Sequence, residues 1–190
     1  MYYWNSDTFT NTWSESLLNK TNLNTNFINN IGATWANKIA TTTWKVGGNT
    51  VSNIRYVVPS VAYTNEITNP DATNSNDNVT EYSAKIGLMY VTDYYYGASP
   101  SAWTLVGYNS DYSKSYVSAK GENWLYGGGW DWTISRSSDD TNTAFYVNYT
   151  GCVNSTSVGG YRGVRPSFRL ESSVTYVSGS GTMSDPIRIN

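Results

Sequence analysis

The sequence predicts an α+β domain, because helical patterns come first along the chain and strand-like patterns dominate its second half. Apolar residues recur at helical spacing in the N-terminal part, whereas from residue 85 onwards short strand-like segments alternate with turn residues. A length of 190 residues is typical of one domain that buries its apolar surface without disulfides or metals. We therefore expect a single domain over residues 1–190.

Two N-terminal segments carry the helical pattern. In "WSESLLNKTNLNTNFINNI", Ser14 is a suitable N-cap, and apolar residues recur at helical spacing from Leu17 to Ile31. The segment "ATWANKIATTTWKVGG" puts Trp35 and Ile39 on one face before a Gly-Gly pair ends the pattern. We expect one or two short amphipathic helices in the first segment and one helix in the second, all supporting the core.

The next part of the chain is predicted to be extended and then solvated. "NIRYVVPSVAY" indicates an extended segment with Pro59 at an edge or irregular position. "NEITNPDATNSNDNVTEY" has almost no apolar residues and indicates a solvated loop over 65–82. Its oxygen-bearing side chains are possible calcium ligands, but their spacing matches no EF-hand loop, so we expect no metal and no cofactor. These side chains are Asp71, Asn74, Asn76, Asp77, Asn78 and Glu81.

The remaining segments are predicted to form the sheet. A strand over Ile86–Val91 is followed by an aromatic loop that Gly97 and Pro100 close. Another strand spans about Trp132 to Arg136, and "TAFYVNYTGCVNST" is typical of a hairpin with its turn at Asn148–Gly151. "GVRPSFRL" indicates a central core strand. "VTYVSGSGTMSDPIRI" indicates a closing strand, a Gly-rich turn and a C-terminal edge.

Charge and cysteine content exclude several function classes. Only 14% of the residues are charged and the net charge is −2, so no basic face is available for nucleic acid or an anionic membrane surface. No run approaches the roughly 18 apolar residues of a membrane span, and the N-terminus lacks a signal-peptide pattern. We expect any export signal to lie outside this sequence. With Cys152 as the single cysteine and no histidine, an internal disulfide and the common zinc and copper ligand sets are missing.

Aromatic and small polar residues are abundant together. The chain has 17 Tyr and 8 Trp among many Asn, Ser and Thr. Antibody paratopes have this mixture, because rigid rings give contact area and small polar groups give adaptable hydrogen bonds. An AT-rich genome, whose codons favour Asn and Tyr, produces the same composition. Composition alone therefore leaves both explanations open.

A series of motifs follows in the order "WSESLLN…LNTNFINNI", "AKIGLMYVTDYYYGASPSAWT", "NWLYGGGWDWTISR", "AFYVN" and "GVRPSFRL…SGSGTMSDPIRI". This series resembles a family of bacterial C-type-lectin-like domains of surface and prepilin-like proteins in gut Firmicutes, and it spans nearly the whole chain. The resemblance implies a loop-rich C-type-lectin-like fold, with short helices flanking a small, twisted, mostly antiparallel sheet. Members usually begin with strands, whereas only Met1–Trp4 precede the first helical segment here, so we expect a truncated or modest N-terminal part.

The wider superfamily includes formylglycine-generating enzymes, which use paired cysteines and copper. This chain has only Cys152 and no histidine to activate it, so that activity does not carry over. Asp139 and Asp140 are adjacent, and in an extended segment they point to opposite sides, where they cannot act as an acid/base pair. "NPD" at 69–71 and "WDW" at 130–132 fall short of the calcium and sugar motifs of C-type lectins. We expect a non-enzymatic protein.

The segment Ser135–Phe168 uses a restricted alphabet without Lys, Glu, Gln, Met or Trp. Those five residues are also out of reach of AAY codons whose adenines are randomised. The wider superfamily includes variable proteins that retroelements diversify in this way near the C-terminus, so the resemblance implies a diversified ligand-binding face here. Turns and strand edges use the same residue types, so ordinary structural composition is the alternative.

Alternation along the strands separates a predicted core from a predicted ligand-binding face. The core is predicted to contain Trp132, Ile134, Phe145, Val147, Val164, Phe168 and Leu170. The predicted face contains Trp130, Ser137, Asp139, Asp140, Asn142, Tyr146, Asn148, Tyr149, Asn154, Ser157, Tyr161 and Arg162, with Trp130 at its rim. We expect Arg136 and Arg165 to tie loops together through their planar guanidinium groups rather than to contact a ligand.

These expectations favour a surface-displayed binding module, adhesin-like in character, that recognises a protein or glycan through this face. The alternative is a structural subunit of a pilus or phage tail, in which the same face packs against copies of itself. A calcium-dependent glycan lectin or a degenerate enzyme ranks third. We expect no nucleic-acid partner and no direct membrane contact by this domain. We expect a location at the cell surface or outside the cell, within a larger surface or pilus protein, or on a phage particle.

Overall fold

The computed structural model describes residues 1–54, 57–74, 79–102 and 121–190, which form an α+β fold of short helices and small sheets. The α-helices are α1 (Ile28–Ile31), α2 (Ala33–Ala36), α3 (Pro59–Tyr63) and α4 (Val91–Tyr96). Other helical turns span Trp13–Glu15, Leu18–Phe27, Thr64–Thr68, Pro70–Thr73 and Pro100–Ala102. The strands are β1 (Tyr2–Tyr3), β2 (Thr42–Lys45), β3 (Gly48–Asn49), β4 (Glu81–Ala84), β5 (Ile86–Gly87), β6 (Asp131–Ser137), β7 (Thr143–Val147), β8 (Val153–Ser157), β9 (Tyr161–Arg162), β10 (Ser167–Phe168), β11 (Tyr176–Ser178) and β12 (Arg188–Ile189).

The largest sheet among the described residues has the strand order β3-β6-β7-β8. β6 pairs antiparallel with β7, and β7 pairs antiparallel with β8 across a turn at Asn148–Gly151, as the sequence predicts. β3 pairs parallel with β6. The two backbones approach closely at Gly48, where a Cβ atom would collide with the carbonyl oxygen of Arg136. This four-stranded sheet carries most of the predicted ligand-binding face.

Apolar clusters cover both faces of this sheet. Phe145 and Val147 belong to one cluster, together with residues of α4, whereas Ala144 and Tyr146 belong to the other. The alternation along β7 is therefore as predicted. The exposure predicted for Tyr146 is wrong, because the N-terminal segment that includes Trp4 packs on that side and leaves Tyr146 only 8% exposed.

The predicted core is confirmed only on β6 and β7. The buried residues of the predicted set are Trp132, Ile134, Phe145 and Val147. Val164 is partly buried against the core, whereas Phe168 and Leu170 are exposed, which corrects their predicted burial. Their segment is not a continuous central strand, since it pairs in short pieces: through Gly163 with Asp131, through β10 with β5, and through a bridge between Leu170 and Ile39. Pro166 has no amide hydrogen to donate, which is unfavourable in a continuous ladder.

The first N-terminal segment is helical as predicted, but Ser14 is not its N-cap because it lies inside the turn Trp13–Glu15, and the second predicted helix ends early. Helical turns run from Leu18 through α1. α2 stops at Ala36, and β2 follows it and pairs antiparallel with β4. The three consecutive threonines at 41–43 favour extended backbone because their side chains are β-branched. Trp35 is consequently exposed instead of lying on a buried helix face.

The segment predicted to be extended and then solvated is helical in its first part. Pro59 begins α3, since proline at the first helical position loses no hydrogen bond that the helix would use. Helical turns at Thr64–Thr68 and Pro70–Thr73 follow, so a plain loop over 65–82 is wrong, and Glu66 is fully buried there. Asn76, Asp77 and Asn78 of the possible calcium set lie outside the described residues.

Residues 86–96 form a two-residue strand and then a helix, which corrects the predicted strand over Ile86–Val91 and the aromatic loop after it. The Asp93 carboxylate accepts a hydrogen bond from the Tyr90 amide at 2.9 Å, in a capping box that starts α4. Tyr94 and Tyr95 are fully buried on this helix. The three successive tyrosines are therefore mainly core-forming residues.

The C-terminal hairpin is as predicted. β11 and β12 pair antiparallel across a Gly-rich turn. Gly179 in that turn has a φ of 103°, a backbone conformation that glycine adopts without steric cost. None of the helices in the described part of the chain is long and apolar enough to cross a bilayer.

Candidate functional site

An aromatic cluster surrounds the guanidinium of Arg162. The guanidinium carbon lies 4.6 Å from the ring centroid of Trp130, 4.6 Å from that of Tyr146 and 5.9 Å from that of Trp132. The Trp130 ring centroid lies 6.0 Å from that of Tyr149 and 6.4 Å from that of Tyr146. These guanidinium distances lie within the range of cation–π attraction. We call Trp130, Trp132, Tyr146, Tyr149 and Arg162 the Arg162 cluster.

Strand pairing brings these side chains together from separate parts of the chain. Trp132 on β6 lies opposite Tyr146 on β7, and Tyr146 lies opposite Asn154 on β8. The amide of Trp132 donates to the carbonyl of Gly163 at 2.9 Å, which holds β9 and Arg162 beside the start of β6. β1 pairs on the other side of β9, with Tyr2 opposite Arg162. The cluster is therefore built on backbone that hydrogen bonds fix.

The rings of the cluster differ in exposure. Tyr146 and Trp132 are buried and form its floor. Trp130 is 39% exposed and Tyr149 is 56% exposed, so these two rings form the exposed part of the cluster. Tyr126 stabilises the segment beneath Tyr149, because its hydroxyl donates to the Tyr149 carbonyl at 2.7 Å. Trp130 thus lies at the exposed edge of the cluster.

Arg162 is the charged residue of the cluster. Its guanidinium has no carboxylate partner among the described residues. Its Nη1 donates to the Tyr161 carbonyl at 2.9 Å, and its Nε is buried without a hydrogen-bond partner in the described part of the chain. The nearby carboxylate of Asp131 is instead paired with Arg165, whose Nε lies 3.0 Å away. Within the described ranges, the site therefore carries one positive charge that no carboxylate pairs with.

Arg136 and Arg165 make internal contacts, as predicted. Arg165 forms the ion pair with Asp131. Arg136 is fully buried and donates from Nε to the Val46 carbonyl at 3.0 Å and from Nη2 to the Asn74 amide oxygen at 2.7 Å. Burial lowers the pKa of Arg136 to about 10. Arg136 is therefore inaccessible to a ligand, whereas the Arg165 side chain stays 38% exposed.

The turn between β6 and β7 holds another group of predicted face residues, in structural roles. Ser137 is fully buried, which corrects its predicted exposure, and its hydroxyl donates to the Asp139 carboxylate at 2.7 Å. Asp139 also accepts from the Val51 amide at 3.0 Å. Asp140 accepts from the Asn142 amide at 2.9 Å. These hydrogen bonds build the turn, as short polar side chains commonly do.

The twelve predicted face residues therefore do not form one face. Trp130, Tyr146, Tyr149 and Arg162 belong to the cluster, with Asn154 beside Tyr146. Ser137, Asp139, Asp140, Asn142 and Ser157 lie at the opposite end of β6, six residues or about 20 Å from its start. Asn148 caps the hairpin turn by accepting from the Thr150 and Cys152 amides.

Tyr161 lies on the other side of β9 from Arg162, because successive residues of a strand point to opposite faces. Its ring packs instead against Tyr3, with centroids 5.1 Å apart. Both rings are exposed. Sequence reasoning missed the contribution of Tyr2 and Tyr3, for which the aromatic run "MYYW" is the only signal in the sequence.

Glu66 is the buried carboxyl group that sequence reasoning did not single out. It accepts a hydrogen bond from the Thr92 amide at 3.0 Å and another from the Thr92 hydroxyl, while its Oε1 has no hydrogen-bond partner in the described part of the chain. Burial raises the pKa of Glu66 to about 7. In the ranges that the structure describes, no group of His, Cys, Asp and Glu side chains is arranged to hold a metal ion.

Comparison with known proteins assigns no family to the chain. No family model matches the sequence, no curated protein is detectably similar to it, and no solved structure matches its fold. The site is therefore interpreted from its own geometry, and the resemblance of the sequence motifs to C-type-lectin-like domains stays a prediction.

Proposed function

We propose that this protein is a non-enzymatic, surface-displayed binding module that recognises a protein or glycan through the Arg162 cluster. The observation that carries the proposal is an exposed pair of rings, Trp130 and Tyr149, beside a guanidinium with no carboxylate partner in the described chain. Tyr, Trp and Arg are the residues most enriched among those that dominate binding energy at interfaces. Their rigid rings lose little conformational entropy on binding.

Support for a preorganised site comes from the strands beneath it. Every residue of β6 and β7 is buried, so the backbone that carries Trp132 and Tyr146 is held on both faces. A ligand would then meet rings already in position, which lowers the entropic cost of binding. This arrangement fits a recognition site on a rigid scaffold.

We further propose that the chain is a C-type-lectin-like domain whose segment 135–168 is diversified by a retroelement. Support comes from the motif series and from the order of elements, with helices before the main sheet. Part of the restricted segment, including Tyr146, Tyr149 and Arg162, contributes to the cluster. A reverse-transcriptase gene beside a near-copy of this coding segment would support the proposal, whereas its absence would favour ordinary composition.

The binding role can be tested with the purified chain on arrays of glycans and displayed peptides. We expect selective binding that Tyr149→Ala weakens at least about tenfold, since interface aromatic anchors commonly contribute that much. Tyr176→Ala is the matched control, because Tyr176 is an exposed tyrosine on the C-terminal hairpin. Equal loss in both variants, or no binding by the wild type, would contradict the proposal.

Light scattering after size exclusion tests the alternative of a structural pilus or phage-tail subunit. A binding module is expected to give the same mass for the wild type and for Tyr149→Ala. A stable oligomer that Tyr149→Ala dissociates, while Tyr176→Ala leaves it intact, would favour self-assembly through this face.

A further inference from the structure

We infer that the Arg162 cluster binds an acidic saccharide, whose carboxylate pairs with the Arg162 guanidinium while a sugar ring stacks on Trp130 or Tyr149. This inference rests on the proposed binding function and names its ligand class. It starts from the charge of the site. Asp131 pairs with Arg165 at 3.0 Å, so no carboxylate in the part of the chain that the structure describes neutralises the positive charge of Arg162.

The guanidinium is oriented before any ligand arrives. Its carbon lies 4.6 Å from both the Trp130 and Tyr146 centroids, and Nη1 is tied to the Tyr161 carbonyl. The Nη2 atom makes no hydrogen bond to the described residues and is the donor left for a carboxylate oxygen. A planar guanidinium that is already fixed loses little freedom when it pairs with a carboxylate.

The exposed rings supply the second half of the site. The planes of Trp130 and Tyr149 are inclined by 34° with their centroids 6.0 Å apart, and the two exposed rings present aromatic surface next to the guanidinium. The apolar face of a pyranose ring buries well against such a surface, since burial of C–H groups is favourable. A sugar acid presents this face and a carboxylate within one residue.

The alternative ligand, an extended acidic peptide, would dock by adding a strand to an open sheet edge. The open edge beside Tyr146 is β8, which pairs only with β7 within the four-stranded sheet. In the middle of that edge the Asn154 side chain accepts the Ser155 amide at 2.9 Å. A strand partner would have to displace this hydrogen bond, so the edge is protected against strand addition.

The experiment measures binding of the full chain to oligosaccharides that contain uronic or sialic acid, and to the same compounds with the carboxylate reduced to an alcohol. We expect the reduced compounds to bind about 10- to 100-fold more weakly, because hydrogen bonds to charged groups contribute more than neutral ones. Arg162→Gln should cause a similar loss and Arg162→Lys a smaller one. Arg188→Gln is the matched control, since Arg188 is an exposed arginine on the C-terminal hairpin.

Each outcome separates this inference from the proposed function. Equal binding of acidic and reduced saccharides, or full binding by a folded Arg162→Gln variant, would overturn the carboxylate assignment and leave a binding module. Binding to acidic peptides without any saccharide would overturn the saccharide class alone. Absence of binding to every saccharide and peptide would overturn the proposed function itself. The comparison of ligands uses the wild type, so it stays decisive even when Arg162→Gln fails to fold.

Discussion

Replacement of Glu66 by glutamine removes a buried carboxyl group and keeps its shape. Glu66 is fully buried and accepts hydrogen bonds from the Thr92 amide and hydroxyl at the start of α4. Burial raises the pKa of its carboxyl from 4.5 to about 7, hydrogen bonds from Thr92 oppose that rise, and the negative charge of Asp93 adds to it. Because the protonated form predominates below that pKa, the glutamine amide is a close substitute at acidic pH.

The size and sign of the effect follow from the two pKa values. A rise from 4.5 to about 7 corresponds to about 3 kcal/mol, at about 1.4 kcal/mol per pKa unit. The pKa is raised in the folded state, so this stabilisation is fully present below pH 4.5 and is lost as pH rises through 7. The stability of Glu66→Gln should not fall in this way as pH rises, since the amide does not ionise.

Urea unfolding of both proteins across this pH range provides the measurement. We expect the free energy of unfolding of Glu66→Gln, relative to the wild type, to rise by about 3 kcal/mol between acidic pH and about pH 8. Burial also raises the pKa of Asp93, which is present in both proteins, so the difference retains only the part of its titration that depends on the Glu66 charge. A difference that stays constant with pH would refute the assignment of Glu66 as a neutral buried acid.

Three further outcomes can be measured by unfolding. In urea unfolding, Phe145→Ala should lower the free energy of unfolding by about 3–5 kcal/mol because it leaves a cavity at a buried site. Tyr149→Ala, at an exposed site, should change this free energy by about 0.5 kcal/mol. Equal losses in the two variants would make Tyr149 a core residue. Calcium or a chelator at fixed ionic strength should leave the melting temperature unchanged, and a rise of several degrees with calcium would reveal a site near residues 71–81. Gly48→Ala should destabilise the fold, since its Cβ collides with the Arg136 carbonyl; an unchanged melting temperature would show that β3 and β6 can separate without cost.

Local patterns were sufficient for the hairpins. The alternation of Phe145 and Val147, followed by a turn at Asn148–Gly151, predicts β7, β8 and their connection. The local patterns did not predict α4, because a run of tyrosines has no clear helical preference. That helix begins where Asp93 caps the Tyr90 amide, and it is stabilised by burial of rings against the sheet. Tertiary packing thus decides elements that local preference leaves open.

The candidate site could be predicted only in part, for a related reason. Alternation indicates which side chains share a face, but it does not indicate which face another segment covers. Tyr146 is buried because Trp4 and Trp13, far away in sequence, pack in the same cluster. The placement of Arg162 against Trp130 depends on the pairing of Gly163, next to β9, with the start of β6, which no local pattern in the sequence specifies.

The pairing of β1 with β9 has a practical consequence for immobilisation and labelling. Tyr2 and Tyr3 lie directly opposite Arg162 and Tyr161, so an affinity tag fused before Met1 would emerge beside the Arg162 cluster. Such a tag would obstruct a ligand sterically, and an acidic one would compete for the guanidinium. The C-terminal residue Asn190 contacts Lys38 and Thr175 instead. A biotin or fluorophore attached after Asn190 would leave the Arg162 cluster unobstructed on a sensor surface.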